Sequence, residues 1–375
     1  KTNQIISSIG YTYGFGNTFS TNGVNRTVEN KLRDFCNVRD FGAVGDGVTD
    51  DTAAIQALAD YLTSSSGAYV IWPAGTYYVA RTGAPETVNF EFVDCESMTW
   101  DFVGGANISF KADFVHSSSL VSSKIVFRNC KNLTILNIET NGNVSTGTKT
   151  GSEQGEHGLS FFGCQGVTLT NAKLHDHPND GLYIEHIFSG GLISSSSERF
   201  LVSNLDTYNN GRQGMSVIGL FDSTFVNCTF KDTGNTGGFG SYSPGAGVDI
   251  EPNSTLELCV NNITFINPSI KDNIGPIFVS VNLASPTYPA IAETGNADNV
   301  TIINPDFAVG STSTGSDQII LALKNASISG GQSNLNGGTV KTHRITAAYS
   351  DFLSHLNMQN HTVYGIDQCF LATLY

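Results

Sequence analysis

Four glycines constrain this chain more than any other feature. His157-Gly-Leu-Ser-Phe-Phe-Gly163, Asp180-Gly-Leu-Tyr-Ile-Glu-His186, Gln213-Gly-Met-Ser-Val-Ile-Gly219 and Ala246-Gly-Val-Asp-Ile-Glu-Pro252 are copies of one pattern, whose anchors Gly158, Gly181, Gly214 and Gly247 stand 23, 33 and 33 residues apart. A weaker fifth copy is Gly275-Pro-Ile-Phe-Val-Ser-Val281. Between copies lie further β-branched runs, such as Val167–Leu169 and Phe225–Phe230. No single unit can bury its own apolar face, so the units must stack on one another as a parallel β-solenoid. Alternation along a strand then sends Leu159, Leu182, Met215 and Val248 inward as one column, and Phe161, Ile184, Val217 and Ile250 as another. A β-sandwich would also give many short strands, but not glycine-anchored copies in one phase.

The rest of the chain agrees. Charged residues make up 14%, against about 25% in an average globular protein. The 39% apolar fraction is ample for a long core. The net charge of −14 argues against nucleic acid or an anionic membrane as the main partner, and no run approaches the roughly 18 apolar residues of a membrane span. Lys1–Gly10 lack the pattern of a secretion signal and the chain lacks an initial Met, so a processed or truncated chain is expected. The seven cysteines show no metal-ligand spacing, and Cys130, Cys164, Cys228 and Cys259 recur in similar turn contexts. They read as buried free thiols. Ile55, Leu58, Ala59 and Leu62 predict one amphipathic helix over about 52–64, with Asp50 and Asp51 at its N-terminus. The Asp-rich stretch before it does not complete a calcium-loop pattern, and capping is the better reading.

The string Val38-Arg-Asp-Phe-Gly-Ala-Val-Gly-Asp-Gly-Val-Thr-Asp-Asp-Thr-Ala-Ala-Ile-Gln56, with Trp72-Pro-Ala-Gly-Thr-Tyr77, resembles the opening segment of pectate-lyase-like right-handed β-helix proteins. Val28-Glu-Asn-Lys-Leu-Arg33 before it is similar to the connector of bacteriophage tailspike depolymerases. The resemblance implies an all-β, single-stranded right-handed parallel β-helix with one short N-terminal capping helix. It also implies a homotrimeric, virion-bound enzyme, made in the host cytoplasm, that cuts a bacterial surface polysaccharide and joins the phage tail or baseplate through a further N-terminal part. The expected organisation is a connector at 1–36, the β-helix with its catalytic face at 37–300, and last turns, cap and trimerisation region at 301–375. The fold alone does not name the chemistry, because the superfamily holds hydrolases, lyases, epimerases and esterases. The Asn-Thr-Asp, Asp-Asp, Gly-His-Gly and Arg-Ile-Lys motifs of polygalacturonases are absent. So is the Asp-Pro-His of alginate epimerases, although His175-Asp-His-Pro-Asn-Asp180 uses similar residue types.

The residues themselves place the chemistry on the outward columns: Ser160, Tyr183, Ser216, Asp249, Phe278 and Phe162, Glu185, Ile218, Glu251, Ser280. Glu185 and Glu251 stand two turns apart, roughly 9 to 10 Å at the backbone. That approaches the roughly 6.5 to 9.5 Å carboxyl separation of an inverting glycosidase. The expectation is hydrolysis with Glu185 and either Asp249 or Glu251 as acid and base, supported by Asp180 and Arg212. Arg212 would clamp substrate or pair with Asp180. Tyr183 would stack on a sugar, Phe239 and Tyr242 would line a groove wall, and Glu156 and His157 would form a turn or else close one end of the site. No cofactor or metal is expected; a zinc site at His175, His177 and His186 fits no ligand spacing. A lyase acting by β-elimination on a uronate polymer, using Arg212, His157 and Tyr183, is the alternative within enzymes. A non-catalytic adhesin is the alternative outside them.

Overall fold

The computed structural model describes residues 34–80, 90–111, 123–143, 157–234, 245–252, 258–275, 278–280 and 297–308, and strand segments at 12–13, 26–27, 317–321, 325–334, 344–347, 355–359 and 362–364. Three parallel sheets of nine, eleven and eleven strands run the length of the chain. Each inner coil gives one strand to each sheet, the first and last described coils give none to the nine-stranded sheet, and strands pair with their equivalents in neighbouring coils. The architecture is a single-stranded right-handed parallel β-helix, as the glycine-anchored copies require.

The first sheet carries the copies. Leu159, Leu182, Met215 and Val248 are register partners in succession, as are Phe161, Ile184, Val217 and Ile250. All eight are fully buried. In earlier coils the same interior is aromatic: Phe92, Phe127 and Phe161 stack with ring centroids 5.2 and 5.5 Å apart. The glycine anchors answer to crowding at the corner. A methyl group on Gly158 would lie 2.5 Å from the His177 ring, and one on Gly181 would lie 2.8 Å from Asn210 Nδ2.

The fifth copy departs from expectation. Phe278, not Ile277, partners Val248, and Val279, not Phe278, stands opposite Asp249. Gly275 N bonds to Gly245 O, so the glycine of this copy pairs one residue earlier than the sequence match suggests. A one-residue slip exchanges faces in a strand. Phe278 and Ser280 are therefore in register with Val248 and Ile250, not with Asp249 and Glu251 as the sequence match suggests.

Helix α1, Thr52–Leu62, closes one end, burying Ile55, Leu58, Ala59 and Leu62. The aspartates before it act differently from simple caps. Asp51 stands at the N-cap position without a capping bond, and its carboxylate instead receives Val44 N at 2.6 Å and Gly45 N at 3.1 Å. Asp50 takes the Thr52 N–H at 3.1 Å and the Ala80 N–H at 3.1 Å, tying α1 to the end of the Thr76–Val79 strand. Asparagine makes the turns. Asn137, Asn171 and Asn204 sit at φ of 60°, 55° and 53°, a region asparagine tolerates, and their amides bond in series at 3.1 and 3.0 Å. Cys36, Cys95, Cys130, Cys164, Cys228 and Cys259 are buried and unbridged, as expected.

Candidate functional site

The outer face of the first sheet brings the expected residues together, but in a more closed setting than an open ladder of side chains. Ser160, Tyr183, Ser216 and Asp249 are successive register partners. One position on, Phe162 pairs with Glu185. Ile218 and Glu251 continue that column, since Ile218 N bonds to Ile184 O at 2.8 Å and Glu251 N to Val217 O at 2.9 Å. Ser160 and Ser216 are wholly buried, Asp249 is 3% exposed and Tyr183 6%. Glu185 and Glu251 are the half-buried carboxylates of this column.

Asp180 is the centre. It precedes the anchor Gly181 and is wholly buried. Its Oδ1 accepts from Gln213 N at 3.2 Å. Its Oδ2 accepts from Ser216 Oγ at 2.8 Å and lies 3.0 Å from His157 Nδ1 and 3.6 Å from Arg212 Nη1. Burial alone would raise this carboxyl, but His157, Arg212 and Ser216 outweigh it and hold it below the usual carboxylate range. Arg212, 6% exposed, also reaches Glu251 Oε2 at 3.2 Å. Burial works against its charge, and the carboxylates of Asp180, Glu251 and Asp249 more than compensate. The expected ion pair with Asp180 is thus present, and Arg212 bridges two carboxylates.

Asp249 faces inward to the protein network, with Gln213 Nε2 on its Oδ2. Burial, and next the charge of Glu251, push its carboxyl well above the ordinary range. Glu185 accepts from Tyr183 OH at 2.9 Å. Burial raises its carboxyl too, against the opposing pull of Tyr183, His157 and Arg128. Tyr183 is not an open platform: its ring lies on His157 at 4.3 Å and 22°, with Phe162 tilted against it at 5.7 Å. Burial and the neighbouring Glu185 push its phenol well up, so it serves as a donor. Half-buried Phe162, with the Arg128 guanidinium 4.7 Å over its ring, is the aromatic at the edge of the site.

The histidines do not converge on a metal. His186 accepts from Ser197 N at 2.8 Å on Nδ1 and bonds to Cys259 O at 2.8 Å through Nε2, which commits both nitrogens to the backbone. His177 bonds to Thr140 Oγ1 at 2.8 Å, and burial, then Lys124 and His175, hold it well below its usual range. His175 pairs with Asp176 at 2.6 Å and stacks on Tyr208. Among the described residues no group of three or more His, Cys, Asp or Glu is placed to hold a metal ion. Glu156, Phe239 and Tyr242 lie outside the described residues.

Two parts of the site escaped sequence reasoning. Gln213 and Ser216 link the carboxylates, and a signal for Gln213 existed. His157, Asp180 and Gln213 occupy one repeat position, immediately before the anchor glycine, so three polar residues stack in a column there. The other is an antiparallel hairpin, Ile187–Ser189 with Leu192–Ser195, that leaves the coil directly after Glu185. Gly163 makes room for it: a methyl group there would lie 2.8 Å from Ile187 Cδ1 and 2.9 Å from Ser195 Oγ.

The chain has relatives among known proteins. The model of the pectate-lyase-like family of rhamnogalacturonase A and epimerases matches residues 35–241, more than half of the chain. The chain belongs to this family. Among curated relatives, the mannuronan C5-epimerase AlgE4 of Azotobacter vinelandii is 53% identical over 49 residues, 13% of this chain and 9% of that protein. The match thus spans less than a tenth of that relative. Among solved structures, the enzymatically active domain of tailspike protein 2 of bacteriophage CBA120 matches with a TM-score of 0.52 at 13% identity, over 90% of this chain and 46% of that one. The full-length tailspike protein 2 matches with a TM-score of 0.50 at 14% identity, over 90% and 42%. At such identities the structural likeness speaks for the β-helix. The family's fold carries several chemistries, so the reaction must be argued from the side chains.

Proposed function

We propose that this chain is a tailspike-type depolymerase that hydrolyses glycosidic bonds of a bacterial capsule or lipopolysaccharide O-chain. In this reading Glu185 is the general acid and Glu251 the general base. The observation that carries it is their placement: two coils apart in one outward column, about 9 to 10 Å at the backbone, with the buried Ile218 between them. The separation suits a water between base and sugar. Burial raises the Glu185 carboxyl above its ordinary range, the direction that an acid requires. Arg212 Nη2, 3.2 Å from Glu251 Oε2, fixes the position of the carboxylate that would act as the base. Asp249 is too enclosed to meet a sugar and serves with Asp180 beneath the site. Hydrolysis is preferred to elimination because Arg212, the cation nearest the site's centre, is already committed to two carboxylates. A uronate would have to compete for it.

A second reading rests on His157. Its Nε2 is buried with no hydrogen-bond partner among the described residues, and its ring lies on Tyr183. Such a nitrogen suits proton abstraction in a lyase only once substrate uncovers the ring, which is 1% exposed. The tailspike likeness further supports a homotrimer mounted on a virion tail. The test is incubation with a panel of bacterial capsules and lipopolysaccharides, following reducing ends and the ultraviolet absorbance of unsaturated uronates together. Reducing ends alone support hydrolysis; both signals together support elimination. Glu185→Gln should lose turnover by about 100-fold or more and keep binding. A protein that binds, cleaves nothing, and loses affinity with Glu185→Gln is an adhesin.

A further inference from the structure

The hydrogens of the buried network do not fit as the heavy atoms first suggest. Ser216 Oγ lies 2.8 Å from Asp180 Oδ2 and 2.8 Å from Gln213 Oε1. A hydroxyl has one hydrogen and cannot donate to both acceptors. If it serves Asp180, two lone pairs face each other across the contact with Gln213. Turning the Gln213 amide end for end removes the conflict, and amide oxygen and nitrogen exchange places without disturbing anything else. Nε2–H then donates to Ser216 Oγ. Oε1 comes to face Asp249 Oδ2, where it needs a donor, and a protonated carboxyl supplies one.

We propose that Asp249, Gln213 and Ser216 form a one-way chain of hydrogen bonds that ends on Asp180 and holds His157 as the Nδ1–H tautomer, with a bare Nε2. The chain runs from Asp249 Oδ2–H to Gln213 Oε1, from Gln213 Nε2–H to Ser216 Oγ, and from Ser216 Oγ–H to Asp180 Oδ2. His157 meets the same oxygen from the other side. Nδ1 lies 3.0 Å from a carboxylate oxygen, off the line of a straight hydrogen bond, and a lone pair there would be repelled, which places the hydrogen on Nδ1. A second hydrogen on Nε2 would be a buried donor with no partner among the described residues, at the full desolvation cost of that group. The charged groups around Asp249 agree with a neutral acid there: Glu251 and Asp180 repel a second negative charge, and Arg212 already balances one. Gln213, Ser216, Asp249 and His157 are positioning residues beneath the half-buried Glu185 and Glu251, a role that rests on the reading of this face as the polysaccharide site.

The experiment is spectroscopic and needs no substrate. Protein carrying 13C in aspartate side chains is examined by infrared spectroscopy at pH 7, and 15N-histidine protein by NMR, with His157→Gln to assign the ring. The expected result is an isotope-shifted carboxylic-acid C=O band that Asp249→Asn removes, and a His157 Nε2 resonance of the unprotonated, pyridine type. Absence of any aspartic-acid band, or its survival in Asp249→Asn, overturns the chain. So does a protonated Nε2. The label identifies the band without a substitution, so the test does not depend on a variant folding. If the spectra are as expected and no polymer is cleaved or bound, the site reading fails and the chain of hydrogen bonds stands.

Discussion

Replacing Arg212 by Met tests the electrostatic account directly. The guanidinium is 6% exposed and lies between the wholly buried Asp180 and the half-buried Glu251, at 3.6 and 3.2 Å. Met keeps most of the stem's volume and removes the charge. Asp180 retains His157, Ser216 and Gln213 N, but no permanent cation among its described partners. Breaking a buried pair by removing one partner costs about 3 to 5 kcal/mol, because the remaining charge stays buried and uncompensated. The cost depends on pH, and the sign follows from linkage. In the native protein Asp180 titrates below its unfolded value, so its contribution is present above that value and is lost as pH falls through the folded one. Without Arg212 its carboxyl moves up, and acid instead favours the folded variant. The two stability curves therefore converge on acidification. The assay is urea unfolding of both proteins at pH 7 and pH 4, followed by far-ultraviolet circular dichroism and tryptophan fluorescence. The expected deficit is about 3 to 5 kcal/mol at pH 7 and clearly smaller at pH 4. A deficit below about 1 kcal/mol, the size of an exposed ion pair, or one equal at both pH values, would refute the reasoning.

Tyr183→Phe removes the hydroxyl that favours the ionised form of Glu185, so the alkaline limb of the depolymerase pH profile should move to higher pH. An unmoved limb would take Glu185 out of the acid role. Gly158→Ala puts a methyl group 2.5 Å from the His177 ring and should destabilise by about 1 to 3 kcal/mol in thermal or urea melts. A neutral result would mean that the corner is looser than described. The six buried thiols should resist an aromatic disulfide reagent in the folded protein and react once it is unfolded. Prompt reaction of any of Cys95, Cys130 or Cys164 under native conditions would contradict their burial.

The fold was largely legible because stacking imposes phase. Leu159, Leu182, Met215 and Val248 fall in register, and the anchors Gly158, Gly181 and Gly214 are needed where the corner crowds the backbone. Legibility failed at the fifth copy, where Gly275 stands in for a neighbour of Gly245 rather than of Ala246. One glycine looks like another in sequence, and only the hydrogen-bond ladder distinguishes them. The candidate site was legible as a set of residues and not as a setting. Alternation says which side chains leave the core, but not whether they then meet water. Tyr183 and Asp249 leave the core and are buried again by their own neighbours. The hairpin after Glu185 has ordinary β-type residues and a Gly190-Gly191 turn, so nothing local separates it from another strand of the coil.

Because the strands stack at one fixed spacing, the gap between Glu185 and Glu251 is quantised. It can be one rung, two or three, each of about 4.8 Å, and nothing between. A carboxylate at Ile218 would stand one rung from each, close to the roughly 5 to 5.5 Å at which one carboxylate attacks the sugar directly instead of admitting water. The stereochemical outcome of cleavage on such a scaffold would then change in a single discrete step, through one side chain, with the backbone left untouched. A β-helix is in this sense a ruler, and a lineage that adopts it inherits its graduations.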